Sequence, residues 1–383
     1  MDFVSPGKTI GILGGGQLGR MLAMEAKRTG YYVITLDPTP KCPAGLFADK
    51  EIVAAYDDVK AAESLAKDSD VLTYEFENIN VEMVRNLEKA GYKIFPGSHV
   101  LEISQDRILE KTFFRKNGIP VCDFLKVVTI KDLEKADKEV GYPAVLKTCR
   151  FGYDGKGQIV IKNKKQALRA YEQLKGQDLI WEKFVDFEKE ISVICVRNLE
   201  SDVVIYPIPE NIHKENILDI SIVPARISKK TEKMAKEIAL AVASRLKVVG
   251  TFCVELFVLK NGEVVANEIA PRPHNSGHYT MDGCIVSQFE NQMRAVCNLP
   301  LGSTDLLSPV VMVNILGSDK GNDLLGVEKL FEDSNVKLHL YQKKESKLKR
   351  KMGHFTVLGK TAEEALRKAI KIRKSIYWGK FEK

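Results

Sequence analysis

The chain has 383 residues, 44% of them hydrophobic and 28% charged, with a formal charge of +7. That balance excludes a disordered polyelectrolyte and allows a sizeable core divided over two or three domains. The N-terminus has no basic stretch leading into an apolar one, and no later run approaches about 18 apolar residues, so neither a signal peptide nor a membrane span is expected and a cytoplasmic location is.

From Thr9 to Leu36 the sequence reads as strand, glycine turn, helix, strand, because Ile10-Gly11-Ile12-Leu13 and Tyr32-Val33-Ile34-Thr35-Leu36 flank a helix-compatible segment from Gln17 to Arg28. Apolar runs at Val71-Leu72-Thr73-Tyr74 and Ile94-Phe95-Pro96 continue the alternation and predict a small doubly wound α/β domain. Shorter strands follow between glycine-rich or charged turns, at Ala144-Val145-Leu146-Lys147, Gln158-Ile159-Val160-Ile161 and Ile191 to Val196, and predict an α+β domain. From about Pro300 a last segment carries runs at Val310 to Val313 and His354 to Leu358, then a helix from Ala362 to Ser375.

Five motifs carry chemistry. Gly14-Gly15-Gly16-Gln17-Leu18-Gly19 sits between a strand and a helix, where backbone N–H groups and the helix N-terminus can cradle an anion; Asp37 ends the next strand, where a dinucleotide's ribose would bind. Phe151-Gly152-Tyr153-Asp154-Gly155-Lys156-Gly157-Gln158 places three glycines at the tip of a two-stranded flap, and Lys147 can add a point charge to phosphate oxygens reached by its amides. Ile180 to Val185 is a strand running into a turn, followed by Glu190; a strand end can read an adenine edge and a carboxylate a ribose.

The runs Thr251 to Leu259 and Glu263 to Ala270 flank Asn261-Gly262, the preferred two-residue hairpin turn. That register puts Glu255 directly across from Glu268, and like charges so placed destabilise a sheet unless a cation lies between them. A hard divalent ion shared with substrate phosphates meets that need, with Asn267 a further oxygen nearby. Pro271-Arg272-Pro273-His274-Asn275-Ser276-Gly277-His278 is a stiff, donor-rich loop in which Arg272 offers a fork for phosphate or carboxylate. The run from Lys343 to Lys351 is either a solvated face or a site for an anionic substrate. The seven cysteines form no close pair and lack a zinc spacing. No aromatic interleaving points to nucleic acid.

Lysine, glycine flap, strand-end hinge with a following acid, and paired carboxylates, in this order, resemble the nucleotide site of the ATP-grasp superfamily. Gly14-Gly15-Gly16-Gln17-Leu18-Gly19-Arg20-Met21 and the run from Asn267 to His278 resemble the N5-carboxyaminoimidazole ribonucleotide synthetases within it. The resemblance covers nearly the whole chain. It implies a Rossmann-like domain over 1–105, an ATP-grasp domain over 106–300 with a mobile flap at about 120–185, and a small C-terminal domain over 301–383.

It further implies that Arg107, Lys147, the loop Gly152, Tyr153, Asp154, Gly155, Lys156, Gly157 and Gln158, the hinge Glu182, Lys183, Phe184 and Val185, and Glu190, His213, Asn267 and Glu268 contact ATP. Glu255 and Glu268 would hold Mg²⁺, with Mn²⁺ as a substitute. Gly16, Gln17, Leu18, Glu75, Tyr153, Arg272, His274, Asn275, Ser276, Arg350 and Lys351 would surround 5-aminoimidazole ribonucleotide, with Asp154, Lys156 and Arg272 serving the reaction with bicarbonate. Relatives often carry arginine where this flap has Lys156, which keeps the charge and loses the fork. The implied partners are ATP, bicarbonate, the ribonucleotide and a second copy of the chain, with neither nucleic acid nor membrane. The rival readings are another ATP-grasp ligase acting on formate or biotin, a nicotinamide-dependent dehydrogenase, and a regulatory nucleotide-binding module without catalysis.

Overall fold

The computed structural model describes residues 3–150, 152 and 156–380. Near the N-terminus, β1 (Thr9–Leu13), β2 (Tyr32–Asp37), β3 (Lys50–Val53) and β4 (Val71–Tyr74) form a parallel sheet in the order β3-β2-β1-β4. Its two faces carry separate cores. Ile10 and Ile12 pack with Leu18, Met21 and Leu22 of the helix Gln17–Arg28, while Leu13 and Leu36 pack with Leu65, Met83 and Leu87 on the other side. Burial on both faces is why these strands read as unbroken apolar runs. The edge strand β3 has no such run, since Lys50 and Val53 are exposed, and the sequence gives no sign of it. The run at Ile94–Pro96, expected as a strand, makes only a single bridge from Ile94 to Leu72.

Four antiparallel strands, β5 (Phe124–Val127), β6 (Ala144–Thr148), β7 (Gln158–Ile161) and β8 (Leu179–Lys183), follow in the order β5-β8-β6-β7. β6 and β7 are the arms of the expected flap, with Lys147 opposite Gln158.

The third sheet contains β9 (Phe187–Arg197), β10 (Val203–Ile205), β11 (Glu210–Lys214), β12 (Ile217–Val223), β13 (Gly250–Leu259), β14 (Val264–Ala270) and β15 (Val310–Leu316). β16 (Asp323–Leu325) leaves it to pair with β19 (Tyr377–Gly379), whereas β17 (Val336–Leu340) and β18 (Lys351–Leu358) rejoin it. The order is β14-β13-β9-β11-β12-β15-β18-β17, with β10 on β9. The pairing of β12 with β15 carries one sheet across residue 300, so the last segment extends this sheet. The helix Lys229–Leu246 covers it: Ser228 caps the first turn, Ala235, Ala239, Val242 and Leu246 meet Val193, Phe252 and Val254, and Lys247 ends the helix at φ +51°. Each large apolar side chain buried here contributes about 1.5–3 kcal/mol.

The hairpin of β13 and β14 departs from the expected turn. Leu259 N–H donates to Glu263 O at 2.9 Å and Gly262 N–H to Leu259 O at 2.8 Å, so the loop is Lys260-Asn261-Gly262, with Gly262 at φ +81°. The register then runs Val258↔Val264, Phe257↔Val265 and Leu256↔Ala266, and shifts to Glu255↔Glu268. Asn267 is the extra residue of a β-bulge. The longer loop and the bulge offset each other, and Glu255 faces Glu268 as expected.

Candidate active site

A cleft of about 560 Å³ lies where the three sheets meet. Gln17, Leu18 and Glu75 line it from the first sheet, Lys147, Gly152, Lys156, Gln158, Glu182, Lys183, Phe184 and Val185 from the flap, and Glu190, His213, Glu255, Asn267 and Glu268 from the third sheet. Arg107, Arg272, His274, Asn275 and Lys351 line it as well. Tyr153, Asp154 and Gly155, with Phe151, lie outside the described residues. Gly157 stands behind the flap wall, its carbonyl accepting from Thr148 N–H at 2.8 Å.

The glycine turn is already occupied by the protein's own carboxylates. Glu75, at the end of β4, accepts from Gly16 N–H and, at 2.7 Å, from Gly19 N–H, while Asp37 accepts from Gly15 N–H at 2.8 Å. A Cβ on Gly16 would stand 2.4 Å from Glu75 Oε1, so this approach requires glycine. Burial pushes the Glu75 carboxyl up, against the two amides that favour its charge. The Gly16 N–H, expected beside the ribonucleotide, is thus held by Glu75, while Gln17 and Leu18 line the cleft. Glu75 fills the nest and presents itself to the cleft, and Asp37, also bonded by Tyr56 OH, is not available to a ribose.

At the same end, Arg272 directs its fork at Glu77, with Nη2 donating to Oε1 at 3.0 Å. Sequence reasoning missed Glu77, although two acids just past a parallel strand, Glu75 and Glu77, mark where such sheets bind ligands. Asn275 exchanges hydrogen bonds with Asn314 on β15, at 3.1 and 2.7 Å. Ser276 is buried behind the wall, bonded to Ser192 and to His274 Nδ1 at 2.8 Å, so it orients His274 and does not reach the cleft. Arg350 also turns away, donating to Glu345 O at 3.2 Å, which leaves Lys351 as the member of that pair in the cleft.

At the other end, three cations converge on two acids. Lys147 Nζ donates to Glu182 Oε2 at 2.8 Å, Lys111 Nζ lies 3.7 Å from the same oxygen, and Arg107 Nη1 donates to Glu268 Oε2 at 3.0 Å. Burial opposes the charge of Glu182, yet Lys111 and Lys147, with Arg107 behind them, hold its pKa down to about 2. His274 Nε2 lies 3.0 Å from Glu255 Oε1; despite burial, that bond and the nearby positive groups hold the Glu255 carboxyl well below the usual range. Glu255 and Glu268 thus each have a separate partner, His274 for one and the Arg107 guanidinium for the other. His213 pairs with Glu190 on the neighbouring strand. Glu110 and Lys111, both buried, were missed as well: their partners on β14 are remote in sequence. Burial pushes Glu110 up to about 8.

Among the described residues, no helix is long and apolar enough to cross a membrane. Residues 7–105 match the family model of the ribonucleotide synthetase preATP-grasp domain, 112–289 the ATP-grasp domain, and 310–368 the phosphoribosylaminoimidazole carboxylase C-terminal domain. The N5-carboxyaminoimidazole ribonucleotide synthase of Bacillus subtilis is 46% identical over 367 residues, 95% of this chain and 94% of the relative. The crystal structure of N5-carboxyaminoimidazole ribonucleotide synthetase from Thermotoga maritima superimposes with a TM-score of 0.89 at 46% identity, covering 97% of this chain and 100% of that one. The Aspergillus clavatus synthase, solved with ADP and 5-aminoimidazole ribonucleotide, gives 0.90 at 32% identity over 96% of this chain and 98% of its own. With these relatives spanning nearly its full length, the chain belongs to the N5-carboxyaminoimidazole ribonucleotide synthase family of ATP-grasp ligases.

Proposed function

We propose that this ligase carboxylates 5-aminoimidazole ribonucleotide with bicarbonate at the expense of ATP, acting in purine biosynthesis in the cytoplasm as a homodimer. The observation that carries the reading is a single cleft lined both by Lys147, Glu182 and the opposed carboxylates Glu255 and Glu268 and by Glu75, Arg272 and Lys351.

In this reading a bicarbonate oxygen attacks the γ-phosphorus, the bond to the bridging oxygen of ADP breaks, and carboxyphosphate forms. The exocyclic amine of the ribonucleotide then attacks the carboxyl carbon, phosphate leaves and the amine loses its proton. Lys147 and Arg107 place positive charge beside the transferring group, where it is worth most in a site shielded from water. Glu255 and Glu268 fit a hard divalent cation, Mg²⁺ or Mn²⁺, because they are opposed carboxylates lining the cleft. Among the described residues no cluster of three or more acidic, histidine or cysteine side chains could hold a metal, so substrate oxygens and water would supply the remaining ligands. When bound, such an ion neutralises charge on the phosphates. Lys156 and Asp154 on the flap, with Arg272, would face bicarbonate and the ribonucleotide. Flap closure protects carboxyphosphate from water.

The test is release of ADP and phosphate from Mg-ATP and bicarbonate, with and without the ribonucleotide. Release that depends on the ribonucleotide is the expected result. ATP-binding protein that gives flat traces with this acceptor, and turns over with formate and glycinamide ribonucleotide or with biotin, would reassign the substrate.

A further inference from the structure

The helix Arg107–Lys116 grips β14 at three successive residues. Lys111 Nζ donates to Asn267 O at 2.8 Å, Arg107 to the Glu268 carboxylate at 3.0 Å, and Ile269 N–H donates to Glu110 Oε1 at 2.6 Å. Positions 107, 110 and 111 share one face of a helix, so a single turn presents all three. The backbone groups gripped by Glu110 and Lys111 belong to the residues on either side of Glu268, at the bulge. Both grips are dry: Glu110 is 2% exposed and Lys111 1%.

The bulge decides which way Glu268 points. If the register of Leu256↔Ala266 continued without it, Glu255 would face Asn267, and Glu268 would fall opposite Val254 on the core side. A one-residue slip moves every side chain to the other face. With the bulge in place, consecutive residues Asn267 and Glu268 both line the cleft. Stability alone does not call for a buried carboxyl and a buried ammonium here, since apolar residues of similar volume usually serve a core as well.

We infer that Glu110 and Lys111 are positioning residues for the cation–phosphate end of the cleft, pinning the Asn267 bulge so that Glu268 faces Glu255. The inference rests on the reading that Glu255 and Glu268 hold the divalent ion. Neither positioning residue touches substrate through this role; each acts through the backbone beside Glu268.

The experiment is calorimetric titration of the full chain with the non-hydrolysable ATP analogue AMPPNP, with and without Mg²⁺, alongside hydrogen exchange at the Ile269 amide. In Glu110→Leu the Mg²⁺-dependent gain in affinity should fall by about tenfold or more, as when the partner of a metal ligand is removed. Metal-free affinity should fall by less than the Mg²⁺-dependent gain does, and the Ile269 amide should exchange faster. Glu110→Gln retains an acceptor oxygen and should restore both readings. A Glu110→Leu chain that keeps the full Mg²⁺ gain overturns the inference and leaves the metal reading standing. Wild-type protein with no Mg²⁺ gain, or Glu268→Gln with an undiminished one, overturns the metal reading and the inference with it. If Glu110→Leu gives no cooperative melting transition, Glu110→Asp, which shortens the reach by one methylene, is read on the same titration with the same criteria.

Discussion

Glu182 is 3% exposed, and its Oε2 lies 2.8 Å from Lys147 Nζ and 3.7 Å from Lys111 Nζ. Glu182→Gln keeps the shape and removes the charge, leaving two ammonium groups facing each other with little solvent. The fall of the Glu182 pKa from 4.5 to about 2 corresponds to roughly 3 kcal/mol, at about 1.4 kcal/mol per decade of proton affinity. Breaking a buried ion pair from one side costs about 3–5 kcal/mol, so the two routes agree. For a cooperative unit of about 150–250 residues this lowers Tm by roughly 6–12 °C. Because the folded pKa is depressed, the contribution is complete above the unfolded value of 4.5 and is lost as pH falls toward 2. The gap between wild type and variant should therefore be widest near pH 7, narrower by roughly 1 kcal/mol at pH 4, and close further below. Urea unfolding at pH 7 and pH 4, with calorimetric melting, measures it. A variant within about 1 kcal/mol of wild type at pH 7, or a gap indifferent to pH, would refute the account of Glu182 as the shared counter-ion.

Glu268→Gln should lower kcat by at least about a hundredfold in the phosphate-release assay, on the scale of losing one strong electrostatic contact in a transition state. Arg272→Lys exchanges a fork for a point charge against Glu77; the expected result is a KM for the ribonucleotide raised about tenfold with the KM for ATP unchanged, from initial rates at saturating co-substrate. Gly16→Ala drives a methyl toward Glu75 Oε1 and should destabilise the chain by about 1–3 kcal/mol in urea unfolding, with the ribonucleotide KM rising as Glu75 is displaced.

What the sequence makes legible is what neighbours in the chain decide. The strand–turn–helix from Thr9 to Arg28 and the arms of the flap at Lys147 and Gln158 follow from local periodicity and glycine placement. The partners that define the cleft are another matter. Arg272 meets Glu77 across 195 residues, Lys111 meets the Asn267 carbonyl across 156 and Glu110 meets Ile269 across 159. No spacing rule reaches so far. The glycine turn shows the opposite hazard: its local pattern is that of an anion nest, and only the fold reveals that Glu75 is the anion.

The pairing of Glu255 with Glu268 was legible for a reason the turn alone does not supply. Counting outward from Asn261-Gly262 gives the right pair only because the loop is one residue longer than expected and β14 carries one residue more than its partner. The strand does write that extra residue into its alternation. Val264 and Ala266 are buried, Val265 between them is not, and then Asn267 and Glu268 come in succession before buried Ile269. Two adjacent polar residues in an alternating strand cannot both avoid the core unless the backbone bulges between them. The core therefore favours the bulge that Glu110 and Lys111 hold, and the bulge in turn delivers Asn267 and Glu268 to the same side as Glu255. Burial of Ala266 and Ile269 sets the site's geometry as firmly as any contact inside the cleft.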